Sequence, residues 1–206
     1  MKYLAAATLI VLTAACGGNG DHAHSEHYGD MHGHQQEHIH QDIDRLDEVE
    51  RREGDAPHAL AGAPAEMFDA ILDAYLQLSD ALVQSSATDA AEYAGQLHEK
   101  AGSFDAEMLD QAIRSDASGW IETVRQRSRE IAGESDVEEQ RRSYHELSET
   151  LITMVEMFGH QKGVLYHQRC PMVNGGNGDW LSVQEGILNP YHGDRMLRCG
   201  MTVRVL

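Results

Sequence analysis

Between Pro64 and Phe158 the apolar residues recur at three- and four-residue steps, and four such runs follow one another with only short polar breaks. A run of that period buries one stripe of a helix and leaves the opposite face wet. In the first, Met67, Ile71, Tyr75, Leu78 and Leu82 form the stripe, and Phe68, Leu72, Leu76 and Val83 widen it. The second is expected to start at Asp89, with Glu92 completing a cap-like pair, and to bury Tyr93, Leu97, Ala101 and Phe104. Leu109, Ile113, Ala117, Trp120, Val124 and Ile131 mark the third, where Gly119 predicts a break into two shorter pieces. The fourth opens on a capping box, Ser135 with Glu138, and continues through Tyr144, Leu147, Leu151, Met154 and Phe158. Short connections between amphipathic helices favour an all-α fold, an antiparallel four-helix bundle.

After Gly163 the pattern changes. Val164-Leu165-Tyr166 suits a short strand, residues 175–179 read as a loop, and residues 189–194 form a turn cluster. The alternating C-terminus, Met201 to Leu206, can pair with that first strand. The expectation is an irregular cap over residues 163–206, with a short β-paired portion that brings Cys170 and Cys199 together.

The cap concentrates sulfur. Cys170 is followed by Met172, and Met196 precedes Cys199 by three residues. Thiolate and thioether donors select monovalent copper over harder divalent ions, because polarisable sulfur matches a polarisable cation. These four residues are therefore candidate ligands, with His167 and His160 as nitrogen donors near the same segment. A second reading is equally open: in an oxidising compartment the pair can be a plain Cys170–Cys199 disulfide closing a loop of about 30 residues, worth roughly 2–4 kcal/mol. His98 and His145 have weaker claims, because a lone histidine on a helix is more often a surface or hydrogen-bonded residue than a ligand. Trp120, Met154 and Phe158 read as core.

The N-terminus bears on the compartment. Lys2, the apolar run Tyr3 to Leu12 and the small residues Thr13-Ala14-Ala15 lead into Cys16-Gly17-Gly18. This reads as a signal peptide over residues 1–15 with lipidation at Cys16, giving a lipoprotein of the cell envelope that faces the periplasm or lies on the outer membrane. The run is shorter than the ~20 residues of a membrane-spanning helix, so the lipid alone would touch the membrane.

Residues 16–56 follow as an arm and charged spacer before the domain of residues 57–206. Seven of the thirteen histidines fall between Asp21 and Gln41, among them the His-x-His pairs His22/His24, His32/His34 and His38/His40. Such a tract has too little apolar surface to bury a core and is expected to be disordered. Each pair can chelate through two imidazoles, which suit copper, zinc and nickel alike. With 34 acidic against 16 basic residues the net charge is −18. Nucleic acid is excluded as a partner on that balance, whereas cations are attracted.

Tyr166, Cys170-Pro171-Met172, Trp180-Leu181-Ser182, Ile187, Asn189-Pro190-Tyr191, Gly193, Met196-Leu197 and Cys199-Gly200 together resemble the signature of a bacterial exported domain of unknown function. That domain also occurs fused to periplasmic adaptor subunits of Cus-type copper/silver efflux systems. The resemblance covers residues 64–206 and implies a helical, non-enzymatic domain linked to envelope copper or heavy-metal handling, with efflux components as partners. Its pattern often carries an aromatic where this chain has His192, so a histidine ligand there would be particular to this protein.

The expected function is thus metal handling by a copper-binding envelope lipoprotein. The arm would collect ions, and Cys170, Met172, Met196 and Cys199 would form the more selective site, with silver, zinc or nickel as other ions. A disulfide-stapled interaction module of an efflux system is the alternative. No enzyme is expected: the cysteines are not spaced as Cys-x-x-Cys, and no Ser-His-Asp or phosphate-loop motif occurs.

Overall fold

A computed structural model of the protein describes residues 56–206 with the exception of 174. The signal peptide, Cys16 and the histidine pairs His22/His24, His32/His34 and His38/His40 lie outside the described residues.

Four helices and a small sheet follow in order: α1 (Ala63–Val83), α2 (Ala87–Ser103), α3 (Gln111–Gly133), α4 (Val137–Phe158), β1 (Tyr166–Cys170), β2 (Gly178–Ser182) and β3 (Met201–Val205). Single 3₁₀ turns stand before α3 and before β3. Successive helices pack against one another, as short connections require. The fold is the expected helical bundle with a short β cap.

Most stripe residues are buried as the periodicity dictates, whereas Met67, Leu76, Val83, Tyr93 and Trp120 are half-buried. Phe68, Ile71, Leu72, Tyr75, Leu78 and Leu82 of α1 meet Tyr144, Leu147, Leu151, Met154 and Phe158 of α4, with Leu97 and Val124 from the helices between, in one continuous core. Each such side chain contributes roughly 1.5–3 kcal/mol on full burial. Tyr75 and Tyr144 stack with planes 3° apart, and Phe68 meets Phe158 edge to face. Among the described residues no helix is long and apolar enough to cross a membrane.

The helix ends depart from the sequence reading. Ser86 caps α2 by accepting from the Asp89 amide, so the helix begins two residues before Asp89. Asp136, not Ser135, caps α4, accepting from the amides of Glu138 at 2.7 Å and Glu139 at 3.3 Å. Its carboxylate answers two open amides where a hydroxyl one position earlier would answer one. Helix α3 runs unbroken through Gly119, which is exposed with open space around it. There the buried faces of Ile113, Ala117, Ile121 and Val124 on either side outweigh one glycine.

The first strand also begins later than expected. Leu165 only exchanges two backbone bonds with Leu206, and the ladder proper carries Tyr166 to Cys170. Gly178 and Asp179 belong to β2 rather than to a loop. Strand β1 is central, antiparallel to both neighbours in the order β2-β1-β3. Alternation along β1 sends Tyr166, Gln168 and Cys170 to one face and His167 and Arg169 to the other. The second face turns to α4, where Arg204 of β3 pairs with Glu156. The first is covered by residues 183–200, which Gln168 holds by donating to the carbonyls of Gln184 and Glu185.

Candidate functional site

Cys170 ends β1, opposite Gly178, and Cys199 lies two residues before β3. The two sulfurs approach to 3.8 Å as free thiols. Cys170 is fully buried, whereas Cys199 is partly exposed. The backbone around Cys199 is held at both ends: its amide donates to the Met196 carbonyl at 3.0 Å, and its carbonyl accepts from Asn189 Nδ2 at 2.7 Å. Gly200 then carries the chain into β3 with φ of +152°, and a Cβ there would stand 2.9 Å from both the Trp180 ring and the Arg169 carbonyl. Only glycine passes. Two sulfurs bound to one ion at about 2.3 Å each stand ~3.8 Å apart at a tetrahedral angle and ~4.0 Å apart at a trigonal one, whereas a linear pair would need ~4.6 Å. The observed spacing suits the tetrahedral arrangement, and a disulfide would need closure to about 2.05 Å. Burial and the neighbouring Cys170 thiol push the Cys199 thiol above its ordinary value.

Methionines border this pair in the chain and face solvent. Met172 is 65% exposed and Met196 37% exposed. Met201, which sequence reasoning passed over, is 56% exposed at the start of β3. A signal for it was present: Cys170-Pro171-Met172 and Cys199-Gly200-Met201 repeat one Cys-x-Met spacing. Apolar side chains left this open differ from the buried core methionine Met154.

The histidines lie elsewhere. His167 is one strand face away from Cys170, its Nε2 2.9 Å from Asp179 Oδ1, which also takes Arg169 Nε at 2.7 Å. The expected nitrogen ligand is thereby turned to α4, because residues three apart on a strand point to opposite sides. Burial lowers the His167 pKa against the pull of Asp179, and its Nδ1 has no partner. Burial raises the Asp179 pKa, but hydrogen bonds from Arg169 and His167 outweigh that and leave it lowered. His160 stands at the other end of the sheet, beside Leu206, with Nδ1 accepting from the Lys162 amide. From Tyr166 to Cys170 is roughly 13 Å of strand, so His160 does not join the sulfurs. His98 Nδ1 bonds the Arg125 carbonyl and His145 Nε2 the Asn177 carbonyl. His192 is half-buried with Nε2 unpartnered, its pKa lowered by burial and then by Arg195 and Arg141. Among the described residues no group of three or more His, Cys, Asp and Glu side chains that could hold a metal comes together. Sulfur is what this region offers.

Residues 71–163 match a domain described as protein of unknown function (DUF3347). The match runs from within α1 to the end of the bundle and stops before the β cap. No curated protein and no solved structure matches the chain.

The DUF3347 stretch supplies the groups that receive the cap. Strand β2 is an edge, and its outward backbone groups are met by tyrosines: the Leu181 amide donates to Tyr75 Oη at 3.2 Å, and Tyr191 Oη donates to the Asp179 carbonyl at 2.5 Å. Tyr75 also accepts from Tyr144 Oη, so its own proton goes to Ser148 Oγ at 2.8 Å. Arg141, nearly buried, donates to the carbonyls of Pro190 and Leu82, both at 2.8 Å, and to Ser85 Oγ. It ties the Asn189-Pro190-Tyr191 turn to the end of α1. Gly193 completes the joint with φ of +54°, where a Cβ would clash with Ser85 Oγ and stand 2.6 Å from Arg141 Nη2. Asn189, Tyr191, Gly193, Trp180 and Gly200 therefore build the cap. Arg141 escaped the sequence reading because its partners are carbonyls 49 and 59 residues away.

Proposed function

We propose that this protein is an envelope lipoprotein that binds copper for metal handling, resistance or efflux support, with monovalent copper or silver held by Cys170 and Cys199. The observation that carries the reading is the 3.8 Å approach of the two thiols. Exposed Met172 and Met196, joined by Met201, support it. Two soft donors without a nitrogen or carboxylate set suit a low-coordinate monovalent ion better than zinc or nickel. Thioethers complete such a site as the metal arrives. His160 and His167 fall away from this ligand set. The N-terminal histidine pairs, held to the membrane through lipid at Cys16, would collect ions with little selectivity. The acidic surface draws cations toward both, and efflux components are the natural recipients.

The test is an anaerobic titration of reduced full-length protein with monovalent copper against a competing chromophoric chelator. One tight equivalent is expected. Cys170→Ser and Cys199→Ser should each weaken it by more than the roughly 10–100-fold that loss of an outer-sphere partner costs. Replacing His22, His24, His32, His34, His38 and His40 by Ala should remove divalent binding and leave the tight equivalent. Tight monovalent binding that survives both cysteine variants would overturn the reading.

A further inference from the structure

The two thiols differ in one respect that metal binding does not require. Cys170 is shut away at the end of the central strand, while Cys199 reaches the surface beside it. Both backbones are anchored, Cys170 in the ladder opposite Gly178 and Cys199 between Met196 and Asn189, so neither sulfur can leave the other by loop movement. Closing the pair takes the sulfurs from 3.8 Å to the ~2.05 Å of a bond.

We propose that Cys170 and Cys199 form a thiol–disulfide exchange site, in which Cys199 meets an outside disulfide and Cys170 resolves the mixed product. In the first step the Cys199 thiolate, having lost its proton to solvent, attacks one sulfur of an external disulfide. Its partner sulfur departs as a thiolate and takes up a proton. In the second, Cys170 loses its proton and attacks Cys199 Sγ, the mixed bond breaks, and the second external thiol leaves. The external disulfide is reduced to two thiols and the protein dithiol is oxidised to one disulfide, with no further oxidant. Access sets the order, because only Cys199 can be reached in line by an outside sulfur. The substrate class is a small or protein-borne disulfide with an exposed sulfur. Closure would tie the segment leading into β3 to the end of β1. This chemistry uses the same sulfurs as the metal reading but does not depend on it.

The experiment uses the full chain carrying Cys16→Ser, reduced, with a chelator present and no metal, exposed to oxidised glutathione and followed by intact mass and thiol alkylation. The expected result is loss of both thiols with no glutathione retained. With Cys170→Ala added, one glutathione should remain, on Cys199. With Cys199→Ala added, Cys170 should resist glutathione at least tenfold longer while folded and react once denatured. Far-UV circular dichroism checks each variant, and Cys→Ser versions replace any that lose helix. Glutathione retained on the protein with both cysteines, or capture by Cys170 as fast as by Cys199, overturns the proposal. Because no metal is present, either result leaves the copper titration to be judged by itself.

Discussion

His167 illustrates how one residue's surroundings decide its chemistry. Its ring is buried and its pKa is lowered from 6.5, chiefly by that burial, even though Asp179 accepts from it. Unfolding releases a ring that takes up a proton more readily, so below about pH 6.5 the unfolded state binds more protons and stability falls. Above that value the contribution is complete. His167→Gln should therefore flatten the slope of unfolding free energy as pH falls below about 6.5, measured by urea denaturation at several pH values. An unchanged slope would mean that His167 does not titrate with folding. Asp179, lowered overall, adds a second loss in stronger acid, as pH drops through its folded value. The sequence offered His167 as a nitrogen donor because it lies near the sulfur-rich segment, and strand alternation turns it away from Cys170.

At the level of elements, hydrophobic period located all four helices, while the starts of α2 and α4 were set by Ser86 and Asp136 side chains that reach particular amides. Helix α3 is the instructive case. Gly119 sits exposed in mid-helix with no atom within 4 Å of a would-be Cβ. Gly119→Ala should then stabilise the protein by about 0.5–1 kcal/mol, by removing glycine's excess unfolded freedom, as a rise in thermal midpoint. A lowered midpoint would show that α3 needs its glycine for a contact the helix itself does not make. The strands were less legible than the helices. Five-residue strands hold few apolar repeats, and β1 was recognisable mainly by its partners β2 and β3.

Over the whole molecule, the bundle and the cap are joined by buried polar bonds as well as by packing. Tyr75, Tyr144 and Ser148 spend their hydroxyls on one another and on β2, and Arg141 spends its guanidinium on the turn and on α1. A chain ending at Gly163 would keep the bonds among Tyr75, Tyr144 and Ser148 and that of Arg141 to Leu82, but would lose those to Leu181 and Pro190 and bare the apolar surface that the cap covers. It should keep its far-UV helical signal yet lose near-UV aromatic signal and sharp unfolding; an intact near-UV spectrum would show that the bundle does not rely on the cap. Sequence by itself determined the four helices, the sulfur-rich end and the acidic charge, because periodicity and composition are local and survive without a partner. Tertiary structure decided which motif residues are scaffold, that Arg141 is the clip, and that the histidines stand apart from the thiols. Those outcomes depend on pairing register and on hydrogen bonds across 49 to 106 residues. No spacing along the chain encodes that geometry until the sheet has docked on the bundle.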